Sequence, residues 1–478
     1  MDLSGQLDLT NLSAAQRALL EDLQPNIVKA HTRDHCYLFP FRFTDAVKAR
    51  TLLHTLAAKM KTASTHFDEL AAHKATPPVD STVPYIGVHL SAKGYTALGA
   101  QAKMPNERAF TAGMAAAGSN LQDTPQGAWD MAYRGEVHAL VIVGGSADTD
   151  SIRATDAAAN QIFAQLGDGV VLTGLPEIGQ GIASLKSPGE GIEHFGYVDG
   201  RSQPLFTKQD IDKDSKTNAS IHGLPSNKGG WDPKFPLSQV LLKDPGSTSE
   251  AAHGSYFVFR KLEQDVLGFK RAEEMLGEAF GLTGAAVERM GAAIVGRFED
   301  GTPYTLQDSD GLNNPVPNDF DYSGDVAGLK CPFNAHIRKT NPRGSAPGIP
   351  DRGVIMARRG VTYGRREQHP NDPALRIGDM PTGAVGLLFM AYQANISNQF
   401  EVTQRFWANE PTFPPNTAGV ATPGVDPVMG QGGSRMFMQR ATWNDPASVT
   451  KSLEFNNFVH LRGGEYFFTP SISTLKTI

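Results

Sequence analysis

Two rounds of strand–helix–strand signals predict an α+β fold for this 478-residue chain, a duplicated ferredoxin-like unit of two antiparallel sheets with helices. Three observations lead there. Short aromatic or β-branched runs alternate with helix-length amphipathic segments. Their order, β-α-β followed by β-α-β, occurs once in each half. A stretch rich in Pro, Gly, Ser, Lys and Asp, Gln203–Gly254, separates the two occurrences and marks a long connection or boundary. The expected halves are residues 1–235 and 236–478.

In the first half, His35–Arg42 is short and aromatic, as strands are. From Phe43, the apolar residues Phe43, Ala46, Val47, Leu53, Leu56, Ala57 and Met60 recur at helical spacing. Ile86, Val88 and Leu90 alternate like a half-buried strand, a short helix is expected near Glu107–Ala117, and His138–Gly144 reads as a buried strand. Asp148 or Asp150 is suited to cap a helix that turns Ile152, Ala159, Ile162, Phe163 and Leu166 inward. Val170–Thr173 closes the set. In the second half, Ser255–Arg260 reads as a strand and a helix from Glu263 turns Val266, Phe269 and Leu276 inward. Strands near Val354–Ala357 and over Val385–Tyr392, a helix from about Ser397 to Trp407 and a terminal strand Tyr466–Phe468 complete it. The loop-rich stretches Gly344–Gly353 and Glu410–Gly433 are long enough to wrap a site.

Composition narrows the function. With 44 basic and 50 acidic side chains the net charge is −6, too mild for a nucleic-acid binder. The 49 glycines and 31 prolines exceed the usual combined share of about 12 %, so much of the chain is expected to be ordered loop. Two cysteines, Cys36 and Cys331, provide neither a disulfide framework nor a thiolate zinc site. The longest apolar run, Val385–Tyr392, falls far short of the ~20 residues of a membrane span. The start lacks a basic and then apolar leader, so a cytoplasmic location is expected unless a leader has been removed. The 13 histidines show no metal-binding spacing; His31 and His35 flank a turn, and His66 and His73 are expected to face solvent on a helix. Neither a Gly-x-x-x-x-Gly-Lys-[Ser/Thr] loop nor a strand-linked Gly-x-Gly-x-x-Gly is present, which removes nucleotide cofactors.

Three segments stand apart. Glu193-His-Phe-Gly-Tyr-Val-Asp-Gly-Arg-Ser-Gln-Pro204 sets Asp199 before a glycine that permits a tight turn. Cys331-Pro-Phe-Asn-Ala-His-Ile-Arg-Lys-Thr-Asn-Pro-Arg343 follows His336 with Arg338, Lys339 and Arg343. Met356-Ala-Arg-Arg-Gly-Val-Thr-Tyr-Gly364 puts Arg358 and Arg359 at a strand end. Alone, each has an ordinary reading as a turn aspartate, a basic loop or a solvated strand end. Together they resemble the dye-decolourising peroxidase family, in its larger fungal and bacterial type. Gly196-Tyr-Val-Asp-Gly200 matches the family's Gly-x-x-Asp-Gly signature, the His336 block its haem-ligand segment and the Arg358 block its distal-arginine segment. Gly254–Val266, Val295–Pro303 and Gly464–Phe468 are similar to further family blocks, so the resemblance runs from about Asn26 to the end.

The resemblance implies a hydrogen-peroxide-dependent haem peroxidase with one haem b per chain, held in the C-terminal half. It would oxidise dyes and phenolic compounds in one-electron steps through an oxoferryl intermediate. His336 would be the proximal iron ligand. Asp199 would move the peroxide proton, and Arg358 would stabilise the developing negative charge. Arg359 should point to the other face of the strand. Arg338 would pair with a haem propionate, Leu387 and Phe389 would line the distal pocket, and Tyr363 matches a surface electron-relay tyrosine. Two positions depart from the family pattern. Asn395 stands near where some members place a carboxylate behind the proximal histidine, and Arg201 stands where a hydrophobic residue is frequent. Expected partners are hydrogen peroxide and small aromatic reductants, with no nucleic acid and no membrane, for a monomer or homo-oligomer. A haem carrier with little turnover would also need His336, but only a peroxidase needs Asp199 and Arg358 together.

Overall fold

Asp45, Asp148 and Asp265 each turn a carboxylate onto the first backbone N–H groups of a helix, over Ala46–Lys59, Thr149–Phe163 and Val266–Ala279 respectively. The computed structural model that shows these caps describes residues 1–478 except 32–33, 76–81, 168, 223–230, 346–347, 349, 416–421 and 433–434. Asp148, not Asp150, is therefore the cap of the second helix. Parts of the three loop-rich stretches expected from sequence lie outside the described residues.

Eight strands among the described residues close a barrel. The first half supplies β1 (His35–Phe43), β2 (Tyr85–Leu90), β3 (Ala139–Gly145) and β4 (Glu177–Gln180). The second supplies β5 (His253–Gln264), β6 (Val361–Tyr363), β7 (Gly386–Gln393) and β8 (Val459–Thr469). Antiparallel pairing runs β1–β3–β2–β8–β5–β7–β6–β4 and returns to β1. The two expected antiparallel sheets thus meet edge to edge. Phe468 pairs with Leu90 at one seam and Tyr363 with Gly179 at the other. Closure leaves these edges paired instead of exposed. It also explains why β2, read as half-buried from its alternation, is buried at every residue: one face meets the barrel interior and helix Ala46–Lys59 lies against the strand.

Local details differ from the sequence reading for physical reasons. β5 continues through Gln264, so the helix expected from Glu263 begins at Val266 behind its Asp265 cap. Asp351–Val354 is a 3₁₀ turn and the strand is only Ala357–Arg358, because the Gln239 and Gln399 side chains donate to the Ile355 carbonyl and hold that segment off the sheet. Residues Val402–Ala408 wind as a π-helix. A helix, Lys208–His222, occupies part of the stretch read as a connection. Another, Glu288–Val295, was masked in the sequence by Gly291, where any Cβ would collide with Tyr197 Oη at 2.0 Å. His66, expected in solvent, is 3 % exposed and stacks on His31 with ring centroids 4.4 Å apart. Among the described residues no helix is long and apolar enough to cross a membrane.

His89 lies in the core, stacked on Phe257 at 4.1 Å with Nδ1 2.6 Å from Thr469 Oγ1. Burial pushes its pKa down to about 3. The unfolded chain takes up that proton near pH 6.5 and the folded chain does not, so this group costs stability as pH falls below about 6.5, by up to ~1.4 kcal/mol per pH unit. His89→Phe should therefore flatten the fall of the thermal midpoint between pH 6 and 4 relative to the parent protein. Parallel midpoint curves would show that His89 does not carry it.

Candidate functional site

The parity of β7 decides which side chains reach the main cavity. Leu388 and Met390 enter the barrel core, while the alternate residues Leu387 and Phe389 line the cavity. Ala391 shares their parity, and Arg358 is its cross-strand partner. Arg358 therefore faces the cavity as well. Arg359 points the other way, donating from Nε to the Asn26 carbonyl at 2.7 Å and from Nη2 to that of Ile27 at 2.9 Å.

The Asp199 turn is built by its neighbours. The Glu193 carboxylate accepts the N–H groups of Phe195 (2.8 Å) and Tyr197 (3.0 Å), and Gln264 Nε2 of β5 donates to it. His194 Nε2 lies 2.8 Å from the Tyr363 carbonyl and ties the segment to β6. Gly196 and Gly200 take φ of +98° and +81°, backbone that side chains with a Cβ rarely adopt. The result presents Asp199 on the cavity wall. Its Oδ1 accepts from the Gly200 N–H at 2.7 Å and from Arg358 Nη1 at 3.2 Å. Arg358 is held further by Nη2 to the Ser202 carbonyl (3.1 Å) and by its own N–H to Gln203 Oε1 (3.0 Å). Both side chains remain about one-third exposed, 36 % and 34 %, to the cavity they line. Burial pushes the Glu193 carboxyl up to about 7, against its three hydrogen bonds, and the Asp199 charge adds to the rise.

His336 opens the short helix His336–Thr340 and lines the same cavity. Its Nδ1 lies 2.9 Å from Asp426 Oδ2. Asp426 is 0 % exposed, and its Oδ1 accepts the Val428 and Met429 N–H groups at 2.8 and 3.0 Å. Burial works against both charged forms. The attraction between them prevails, raising the His336 pKa and lowering that of Asp426. An imidazole whose Nδ1–H goes to a carboxylate leaves Nε2 free as a ligand, and the carboxylate strengthens its donation. A carboxylate thus does stand behind the histidine, and Asn395 does not; Asn395 Oδ1 accepts the Asn398 N–H in a local turn. Sequence offered no signal for Asp426, which lies 90 residues from His336 in a Pro- and Gly-rich loop.

Arg338 is not at the cavity. It is 0 % exposed, its Nη1 lies 2.8 Å from Asp325 Oδ2, and its guanidinium stacks on Tyr322 and Phe333. Arg201, Arg297 and Arg343 line the cavity instead. Arg343 donates to Ser202 Oγ and Asn318 Oδ1 at 2.8 and 3.0 Å. Arg297 donates from Nη1 to the Gly301 and Pro317 carbonyls, but its buried Nη2 has no hydrogen-bond partner among the described residues. Burial, together with Arg343 and Arg201, pushes Arg297 down to about 9, and burial pushes Arg343 down to about 10. Arg201 is paired with Asp214 (3.2 Å) and Glu190 (3.7 Å), whereas Arg297 and Arg343 have no carboxylate within ion-pair distance among the described residues. Tyr363 is also displaced from expectation: pairing of β6 on both sides leaves it 7 % exposed, with Lys261 Nζ 5.0 Å from its ring centroid, so it does not occupy a surface relay position.

The cavity therefore combines a histidine with a free ring nitrogen, an aspartate–arginine pair, largely apolar walls and an orphaned guanidinium N–H. These suit a planar, mostly apolar, metal-centred group that carries carboxylates, as haem does.

Comparison with known proteins agrees. Residues 22–171 match the family model described as the DyP dimeric alpha+beta barrel domain, and residues 234–412 match that of the Dyp-type peroxidase C-terminal region. The multifunctional dye peroxidase of Amycolatopsis sp. is 45 % identical over 488 residues, covering 100 % of both chains. Its solved structure superimposes with a TM-score of 0.93 at 44 % identity over the whole of both chains. A DyP-type peroxidase structure from Anabaena sp. gives a TM-score of 0.87 at 34 % identity, over 100 % of this chain and 98 % of that one. A dye-decolorizing peroxidase in complex with 2,6-dimethoxyphenol gives 0.75 at 26 % identity, over 96 % and 98 %.

Proposed function

From the premise that this chain belongs to the DyP-type peroxidase family, and so is a haem-dependent, hydrogen-peroxide-using enzyme that oxidises dyes, we propose the residues that run the reaction. The cavity would take one haem b per chain, which His336 would hold through Nε2 and Arg201, Arg297 and Arg343 would hold through its carboxylates. The observation that carries this reading is the pairing within one cavity of a carboxylate-backed histidine with an aspartate–arginine couple. Bound haem supplies the redox centre that accepts two oxidising equivalents from peroxide and returns them to donors singly.

The side chains do the rest. Asp199 Oδ1 is engaged by Gly200 and Arg358, so Oδ2 is the oxygen that takes the proton from hydrogen peroxide and delivers it to the departing oxygen. Arg358, fixed by the Ser202 carbonyl and Gln203, holds a positive charge where negative charge develops, with no reorganisation during the step. Leu387 and Phe389 keep the wall beside Arg358 apolar. The orphaned Arg297 N–H would find an acceptor in a haem carboxylate, which would offset the cost of a buried unpaired donor. Small phenols are the proposed reductants, as one relative is seen with 2,6-dimethoxyphenol.

Arg358→Leu tests the charge. The rate of the spectral change after stoichiometric peroxide should fall by about 10²–10³, the usual loss for one preorganised donor, with haem content unchanged. A parental rate would take Arg358 out of the reaction.

A further inference from the structure

Lys339 is buried without exposure, three residues after His336 on the same short helix. Among the described residues no carboxylate lies within ion-pair distance of it. Its Nζ donates to two backbone carbonyls instead, Gly424 at 2.6 Å and Glu410 at 2.8 Å. Burying an ammonium on such acceptors is costly, and burial pushes its pKa down to about 7 despite the nearby Asp426 and Glu410 charges. Gly424 stands two residues before Asp426, and Asp426 is the acceptor for His336 Nδ1. On the other side of that carboxylate, Arg435 donates to the Gly430 and Pro427 carbonyls. The Asp426 segment is thus tied at both flanks; on its N-terminal side the Lys339 bonds from the ligand's own helix add to those of the Gly424 and Asp426 N–H groups to the Pro411 and Ala408 carbonyls, both at 2.8 Å.

We propose that Lys339 is a positioning residue for the iron ligand: by binding the Glu410 and Gly424 carbonyls it fixes the Asp426 carboxylate against His336 Nδ1–H. Its role rests on the reading of His336 as proximal ligand. A carboxylate held there strengthens imidazole donation to iron and favours the ferric state. Loosening it shifts the ferric–ferrous midpoint potential upward. Simple removal of a nearby positive charge, with the Asp426–His336 contact intact, shifts it downward, because ferric iron then gains relative stability. The sign separates the two.

The experiment measures the midpoint potential and the ferrous iron–histidine stretching frequency of the haem-loaded full chain for Lys339→Met, Asp426→Asn and the double variant. An upward potential and a lowered frequency in Lys339→Met, in the direction of Asp426→Asn and with little further change in the double variant, support the proposal. A downward or unchanged potential in folded Lys339→Met overturns it. Should that variant not fold, Lys339→Gln, which retains a donor for the carbonyls, is expected to shift the same way by less, and parental values there overturn it equally. If Asp426→Asn itself leaves both readouts unchanged, the proximal assignment fails, and the inference fails with it.

Discussion

Asp199→Asn is expected to slow the reaction with hydrogen peroxide by about 10²–10⁴, the usual contribution of a positioned acid–base group. The amide keeps an oxygen for the Gly200 N–H and for Arg358 Nη1, so the turn and the arginine should stay in place. What is lost is the oxygen that can take and return a proton. The effect on folding should be small, because the ion pair with Arg358 is about one-third exposed on both sides and such pairs contribute ~0–1 kcal/mol. Stopped-flow absorbance after stoichiometric peroxide, at matched haem content, reads the step. A rate equal to the parent's would mean that another group moves the proton and that Asp199 is a structural element of its turn.

His336→Ala should abolish stable haem binding and with it all peroxidase activity. Alanine favours helix at least as well as histidine, so the segment His336–Thr340 should keep its shape, and Arg338 and Lys339 their buried partners. The loss is confined to the iron–nitrogen bond and to the donor on Asp426 Oδ2. Arg201, Arg297 and Arg343 remain to attract the carboxylates, so weak, mobile haem with a displaced and diminished Soret band is the residual state to expect. Retention of a full-strength parental band after desalting would place the ligand elsewhere.

The residues read from sequence that do meet in the cavity share a property: each sits in a short continuous segment. The Gly196–Gly200 turn needs its glycines next to Asp199, and Arg358 reaches the cavity by strand parity alone. The strand and helix order was readable because period and capping are local. What escaped was set by distance or by angle. Asp426 meets His336 only through the tertiary fold, from a loop with no periodicity. Arg338 was misplaced because two residues along a helix turn a side chain by about 200°, away from the ligand's face and onto Asp325. The arginines that do reach the cavity, Arg201, Arg297 and Arg343, come from three different segments. Tyr363 was assigned a surface role by resemblance alone, and pairing of its strand with Gly386 on one side and Gly179 on the other buries it.

The most direct test of His336 as the iron ligand in this cavity is the absorption spectrum of haem-loaded His336→Gly, recorded with and without added imidazole. The expected result is a diminished, displaced Soret band that returns to the parental position when imidazole fills the space left beside Asp426. A parental band without imidazole, or no response to it in a folded variant that retains haem, would contradict that assignment.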